Sequence, residues 1–254
     1  MRERDVATLA ARVDGLGGRG GTASECETDP LARAVAEVDW AAALPPRASQ
    51  WPWRARRVLK RLFDVTIAGI GLMVLIPVFL VLAVAVILDS GWPVFYPWRV
   101  VGQRGRRFTG YKLRTMVREA DDLKGQLAHL NEMNGPVFKI RGDPRVTRLG
   151  RWLRRYSLDE LPQLWSVLVG DMSLVGPRPL SAEEFIRATP TQRRKLSVKP
   201  GITCLWQVSG RNKIGDFEDW VRLDLEYIEK WSLGLDLRIL LKTAPVVIRG
   251  TGAY

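Results

Sequence analysis

Charged residues vanish between Val65 and Leu88, where VTIAGIGLMVLIPVFLVLAVAVIL runs for 24 residues without one. As a helix this stretch would measure roughly 36 Å, against a hydrocarbon core of about 30 Å. Helices buried in soluble proteins rarely stay uncharged for so long, so the pattern predicts membrane insertion. Arg54, Arg56, Arg57, Lys60 and Arg61 precede the run, and Arg99, Arg104, Arg106 and Arg107 follow it. A spanning helix keeps its basic flank in the cytoplasm, so two basic flanks place both ends on one side. Pro77 lies mid-run, where its ring and missing N–H bend or break a helix. The expectation is a re-entrant hairpin of two arms, with a kinked spanning helix as the alternative. Trp51 and Trp53 before the run, and Trp92, Phe95, Tyr96 and Trp98 after it, suit an interfacial belt.

Elsewhere the apolar positions recur at helical or strand spacing. Helices are predicted over READDLKGQLAHLNEM, over the run after Ser157, and over SAEEFIRATPTQRRKL and DFEDWVRLDLEYIEKWS. Short strands are predicted around VFYPWRVVGQ, RFTGYKLRTM and GITCLWQVSG. The C-terminal LDLRILLKTAPVVIRG contains Asp236, Arg238 and Lys242 and reads as amphipathic rather than inserted. Residues 1–50 carry GLGGRGGTASECETDP and few large apolar residues; they read as a flexible or partly helical extension and not as a signal peptide. The predicted class is α+β, mainly α. Residues 51–98 form the membrane hairpin, and 99–254 a cytoplasmic catalytic domain with amphipathic surface helices.

The formal net charge of +12 points to a negative partner: nucleic acid, an anionic bilayer or a phosphorylated small molecule. No recognition-helix, RNP or zinc pattern supports nucleic acid. Cys26 and Cys204 show no metal or disulfide spacing, which fits a reducing compartment, and a buried apolar role is expected for Cys204. The single His129 sits in an ordinary amphipathic pattern, QLAHLNEM, and zinc is not expected.

The chemistry concentrates in RWLRRYSLDELPQLWSVLVGDMSLVGPRP. Two carboxylates, Asp159 and Glu160, follow six arginines, at 141, 145, 148, 151, 154 and 155. Ser157 and Glu160 have the spacing of a capping box, with Pro162 in the first turn and Gly170 ending the helix. One reading is therefore purely structural, Glu160 capping and Asp159 favouring the positive helix end. The other is catalytic. A helix N-terminus beside arginines is a diphosphate site, and the positive charge should keep Asp159 ionised. An ionised carboxylate can form a covalent intermediate, and its neighbour can hold Mg²⁺ together with substrate phosphates.

These residues also carry a resemblance. SLDELPQLWSVLVGDMSLVGPRP, FTGYKLRTM, DPRVTRLGRWLRR, KPGITCLWQVSGRN and RLDLEYIEKWSL are similar to the bacterial sugar transferases that are monotopic phosphoglycosyl transferases, from about Lys60 to Tyr254. The chain resembles the short form, with the N-terminal extension in place of extra spans. The resemblance implies transfer of a sugar 1-phosphate from a UDP-sugar to polyprenyl (undecaprenyl) phosphate, releasing UMP and initiating exopolysaccharide or other glycan assembly. It implies Asp159 as nucleophile, Glu160 as the Mg²⁺ ligand, and Arg154, Arg178 and Arg211 as phosphate contacts. Lys112, Arg114 and Arg145 are further phosphate candidates, with plain surface charge as the alternative. It implies a bacterial inner-membrane location with the site on the cytoplasmic face, and leaves a homo-oligomer open; galactose and glucose are the expected sugars. Two departures stand out: Ile76 precedes Pro77 where a small polar residue is common, and Cys204 stands where glycine is frequent. The rival to an enzyme is a membrane-anchored, non-catalytic scaffold of a polysaccharide assembly complex.

Overall fold

The computed structural model describes residues 29–44, 51–210 and 215–250, and the fold is mostly helical with a small sheet region. Helix α1 (Pro30–Ala36) begins at Asp29, whose carboxylate accepts from the Leu31 N–H at 2.9 Å, with Pro30 in the first turn. Leu31, Ala34 and Val38 are buried, and Leu31 and Ala34 join the core that holds Phe185, Leu196, Phe217 and Trp220. Arg193 ties the segment down, donating to the Ala34 carbonyl at 2.9 Å and to Glu37 at 2.6 Å. The described part of the extension is thus helical and docked. Positions 31, 34, 35 and 38 of LARAVAEV form one helical stripe, hidden in the sequence by the glycine-rich stretch before it.

Helix α2 (Trp51–Ser90) carries the uncharged run. It continues through Pro77, so the two separate arms expected from the sequence are one unbroken element. Proline removes one internal hydrogen bond, but the turns on either side resume helical pairing. Only 11% of its most apolar window is buried. Its two ends, however, are both held by the same domain. Near the first, Arg61 donates to the carbonyls of Val167 and Leu168 at 2.5 and 2.8 Å, and Ala68 is fully buried. Near the second, Leu82 and Val86 pack with Leu113 and Leu153. Met73, Val74, Ile76, Leu80 and Val81, between the anchors, are exposed.

Strands β1 (Phe95–Val101) and β2 (Arg107–Leu113) pair antiparallel from Phe95↔Leu113 to Val101↔Arg107. The domain boundary expected at 98 falls inside β1 and is not a break in the fold. The helix expected over 118–133 is replaced by turns, with short 3-10 pieces at Asp122–Lys124 and Ala128–Leu130. Helix α3 (Arg148–Arg155) leads into a 3-10 segment, Leu158–Gln163, and then α4 (Leu164–Val169), which ends at Gly170 as expected. Strand β3 (Ser173–Val175) pairs in parallel with a later strand, and β4 (Leu180–Ser181) adds to the free edge of β1. Pro190 divides the next helical stretch into α5 (Ala182–Arg187) and α6 (Pro190–Arg193), each with a capping box. Strand β5 (Gly201–Thr203), short α7 (Leu205–Val208), α8 (Phe217–Glu229) and α9 (Leu233–Arg249) complete the chain. Cys204 is a buried free thiol, pushed well above its ordinary pKa by burial, as its expected apolar role requires.

Candidate active site

The 3-10 segment carrying Asp159 and Glu160 lies against β2 and α3. Its entry is strained: Ser157 sits at φ 53°, ψ 24°, a left-handed conformation uncommon for a residue other than glycine. The predicted capping box does not form, since Ser157 makes no side-chain cap bond. Glu160 turns instead to Lys112, accepting from its Nζ at 2.8 Å, with Arg178 Nη1 at 3.8 Å. The structural reading of Glu160 as a cap therefore fails, and so does the argument from an α-helix N-terminus.

What remains is the cluster of charge. A cavity of about 450 Å³ is lined by Asp159 and Glu160 together with Lys112, Arg114, Arg145, Arg154 and Arg178. That volume falls within the roughly 300–1,000 Å³ usual for small-molecule sites. Chain geometry explains the convergence. Lys112 projects from β2 opposite Tyr96 of β1, and its ammonium lies 4.2 Å from the ring of the neighbouring Trp98. Arg178 stacks on the same indole at 5.6 Å. Helix α3 closes in because Gly150 lets it: a Cβ there would stand 2.0 Å from the Thr115 carbonyl oxygen. That approach delivers Arg154, whose Nε donates to Thr115 Oγ1 at 3.0 Å.

Five of the expected phosphate-binding residues thus share one cavity with the acid pair, and Arg211 lies outside the described residues. The five are not equivalent. Arg145 is buried, and its donors go to Asp143 at 2.7 and 2.9 Å and to the Ala120 carbonyl at 3.0 Å. It braces the cavity wall, and surface charge is not its role. Arg114 sits at the rim, donating to the Trp92 carbonyl at 3.3 Å. Arg154, Lys112 and Arg178 are the cations nearest the acids. Sequence reasoning missed Trp98 and Thr115, which orient those cations. The alternation along β1, placing Trp98 on the face of Tyr96, was the available signal for Trp98.

Burial works against the expected ionisation of Asp159. Its carboxyl is 7% exposed. Burial and the adjacent Glu160 push its pKa up, Lys112 and Arg154 pull it down, and the upward push prevails. Burial thus opposes the ionisation that Lys112 and Arg154 favour. A buried carboxyl poised between burial and cations is the kind of group found at reactive sites. Among the described residues no three His, Cys, Asp or Glu side chains group as a metal site. Mg²⁺, however, needs only one or two carboxylates when substrate phosphates supply further oxygens. The like-charged pair at Asp159 and Glu160 fits that requirement.

Residues 55–250 match the family described as bacterial sugar transferase, and the chain belongs to that family. It is similar to the galactosyl transferase CpsE of Streptococcus agalactiae serotype III (strain NEM316), 46% identical over 198 residues, covering 77% of this chain and 43% of that protein. It is also similar to the undecaprenyl-phosphate galactose phosphotransferase of Salmonella typhimurium, 43% identical over 209 residues, covering 79% of this chain and 43% of that one. The exopolysaccharide production protein ExoY of Rhizobium meliloti is 39% identical over 199 residues, covering 77% of this chain and 88% of that one. The chain spans less than half the length of the first two relatives.

Proposed function

We propose that the protein transfers a sugar 1-phosphate from a UDP-sugar to polyprenyl phosphate through a covalent intermediate on Asp159. The observation that carries this reading is the buried Asp159 carboxyl in the wall of a cavity edged by Lys112, Arg154 and Arg178. In the first half-reaction an Asp159 oxygen attacks the sugar-linked phosphorus. The bond from that phosphorus to the bridging oxygen breaks, and UMP leaves with the electron pair. The lipid phosphate then attacks the same phosphorus, the bond to Asp159 breaks, and polyprenyl diphosphate sugar departs with the carboxylate restored. Arg154, Lys112 and Arg178 bind and orient the diphosphate and offset the charge that gathers on it. Glu160 would hold Mg²⁺ together with substrate phosphates, and the ion would supply further charge neutralisation. The relatives' printed names favour galactose or glucose as the sugar and undecaprenyl phosphate as the lipid.

The same reading places the protein on the cytoplasmic face of a bacterial inner membrane, inserted without crossing. Ala68 and Leu82 are both buried against the one domain, and the helix between them covers about 20 Å at ~1.5 Å per residue. Crossing needs about 20 lipid-facing residues with ends on opposite faces. A re-entrant path bending at Pro77 needs neither, and the basic flanks agree with it.

The test is incubation of enzyme with a panel of UDP-sugars and no lipid, followed by mass spectrometry of the quenched protein. UMP equal to enzyme and a phospho-sugar adduct on the Asp159 peptide are expected, and both are absent in a folded Asp159→Asn variant. Release of UDP would make it a simple glycosyltransferase. Absence of any donor cleavage, with or without lipid, would leave the scaffold reading.

A further inference from the structure

A second cavity, of about 190 Å³, lies on the other side of the Asp159–Glu160 segment. Its walls are Leu158 and Leu161 from that segment, Leu164 from α4, Ile202 from β5, and Val246 and Val247 from α9. Its character is the opposite of the cationic cavity. Two of its polar residues, Thr203 and Thr243, are turned on each other with hydroxyl oxygens 2.8 Å apart, and Thr243 also donates to the Ile239 carbonyl. Gln207 accepts from the Cys204 N–H at 3.0 Å. Such walls offer little to a sugar or a nucleotide. Yet the two cavities meet, since Ser157, Glu160 and Gln207 line both.

We infer that this apolar cavity holds the first isoprene units of the lipid acceptor while its phosphate enters the cationic cavity. The inference rests on the phosphoglycosyl-transfer reading above. The argument is one of continuity and complementarity. A polyprenyl phosphate is an anion joined directly to a branched hydrocarbon, and the protein sets an arginine-rich cavity beside an apolar one across a single turn of chain. The wall formed by α9 also presents Leu237, Leu241 and Ile248 outward, all more than half exposed. A chain leaving the cavity would therefore continue over apolar surface towards the bilayer. The segment bearing the acids forms the partition, so anchoring the tail fixes where the phosphate stands relative to Asp159.

The experiment fills the cavity with Val246→Trp and measures the two half-reactions separately, in detergent micelles containing undecaprenyl phosphate. The UMP burst from donor alone is expected to match the parent. The KM for undecaprenyl phosphate is expected to rise about tenfold or more, since each displaced methylene forfeits about fourfold in affinity. Turnover of a short alkyl phosphate, which has no chain to seat, is expected to be the same in parent and variant. If Val246→Trp does not fold by circular dichroism, Val246→Phe takes its place with a smaller expected rise. An unchanged KM for the long lipid overturns the inference, as does loss of the donor burst in a folded variant. Absence of a burst in the parent is a different failure, that of the transfer reading itself.

Discussion

Replacing Lys112 by methionine tests how the site controls its own acid. The ammonium lies 2.8 Å from Glu160, with both side chains 16% exposed. At an effective dielectric of about 20 the attraction is about 6 kcal/mol, against about 4 kcal/mol for Arg178 at 3.8 Å. The Arg178 figure shrinks further by solvent screening, because that side chain is one-third exposed. Lys112 is thus the main counterweight to Glu160, and it also pulls down the raised pKa of Asp159. An opposite charge nearby favours the ionised form of a carboxyl. Without it, Asp159 keeps its proton to higher pH, and the protonated acid is no nucleophile. The acid limb of the donor burst rate against pH should therefore move to higher pH. At a fixed pH on that limb the rate falls about tenfold for each pH unit of that move, and the deficit closes as pH rises. Lys112→Arg keeps the charge and should leave the limb in place. Thermal melts of each variant separate this effect from the lost contact with Trp98. A Lys112→Met variant slowed by one constant factor at every pH would refute the reasoning.

Other perturbations test the frame around the site. Lys195 and Asp224 form a fully buried pair at 2.8 Å, so Lys195→Met should cost about 3–5 kcal/mol in urea unfolding, with most of it recovered in Lys195→Met/Asp224→Leu. Burial raises the pKa of Asp224, so the single variant takes up a proton on folding and should regain stability as pH falls. Leu31→Ala should release residues 29–44 to proteolysis at a cost below the roughly 2–5 kcal/mol of a core leucine, because the segment can undock alone. Cysteines at positions 56 and 106 should both resist an impermeant thiol reagent in intact cells, and labelling of only one would establish a crossing helix.

The parts of this protein legible in its sequence are those governed by local pattern. The uncharged run, the β1–β2 hairpin, α8 and the stop at Gly170 follow from periodicity and turn chemistry alone. The gathering of Lys112, Arg154 and Arg178 around Asp159 came from a family resemblance, since residues so far apart in the chain share no local signal. Capping at Ser157 was misread because a tertiary partner, Lys112, outbids the local backbone for Glu160. Helix over 118–133 was misread because amphipathic spacing around Gly125 did not find a surface to bury against. The charge state of Asp159 depends on burial, which neighbouring residues in the sequence do not disclose.

The double anchoring of α2 bears on which membranes can host the enzyme. A crossing helix must match the hydrocarbon thickness around it, and mismatch is relieved by tilting or by deforming the bilayer. Here part of the basic flank is committed to the protein: Lys60 bridges Asp64 at 2.9 Å and Asp236 at 3.0 Å, and Arg61 is spent on backbone carbonyls, while Arg54, Arg56 and Arg57 stay exposed. On the re-entrant reading, depth of insertion is set by where the domain grips the helix, with the exposed arginines left to meet lipid headgroups. On that reading the protein should work equally in thin and thick bilayers of the same headgroup charge, whereas a crossing helix would tie its activity to bilayer thickness.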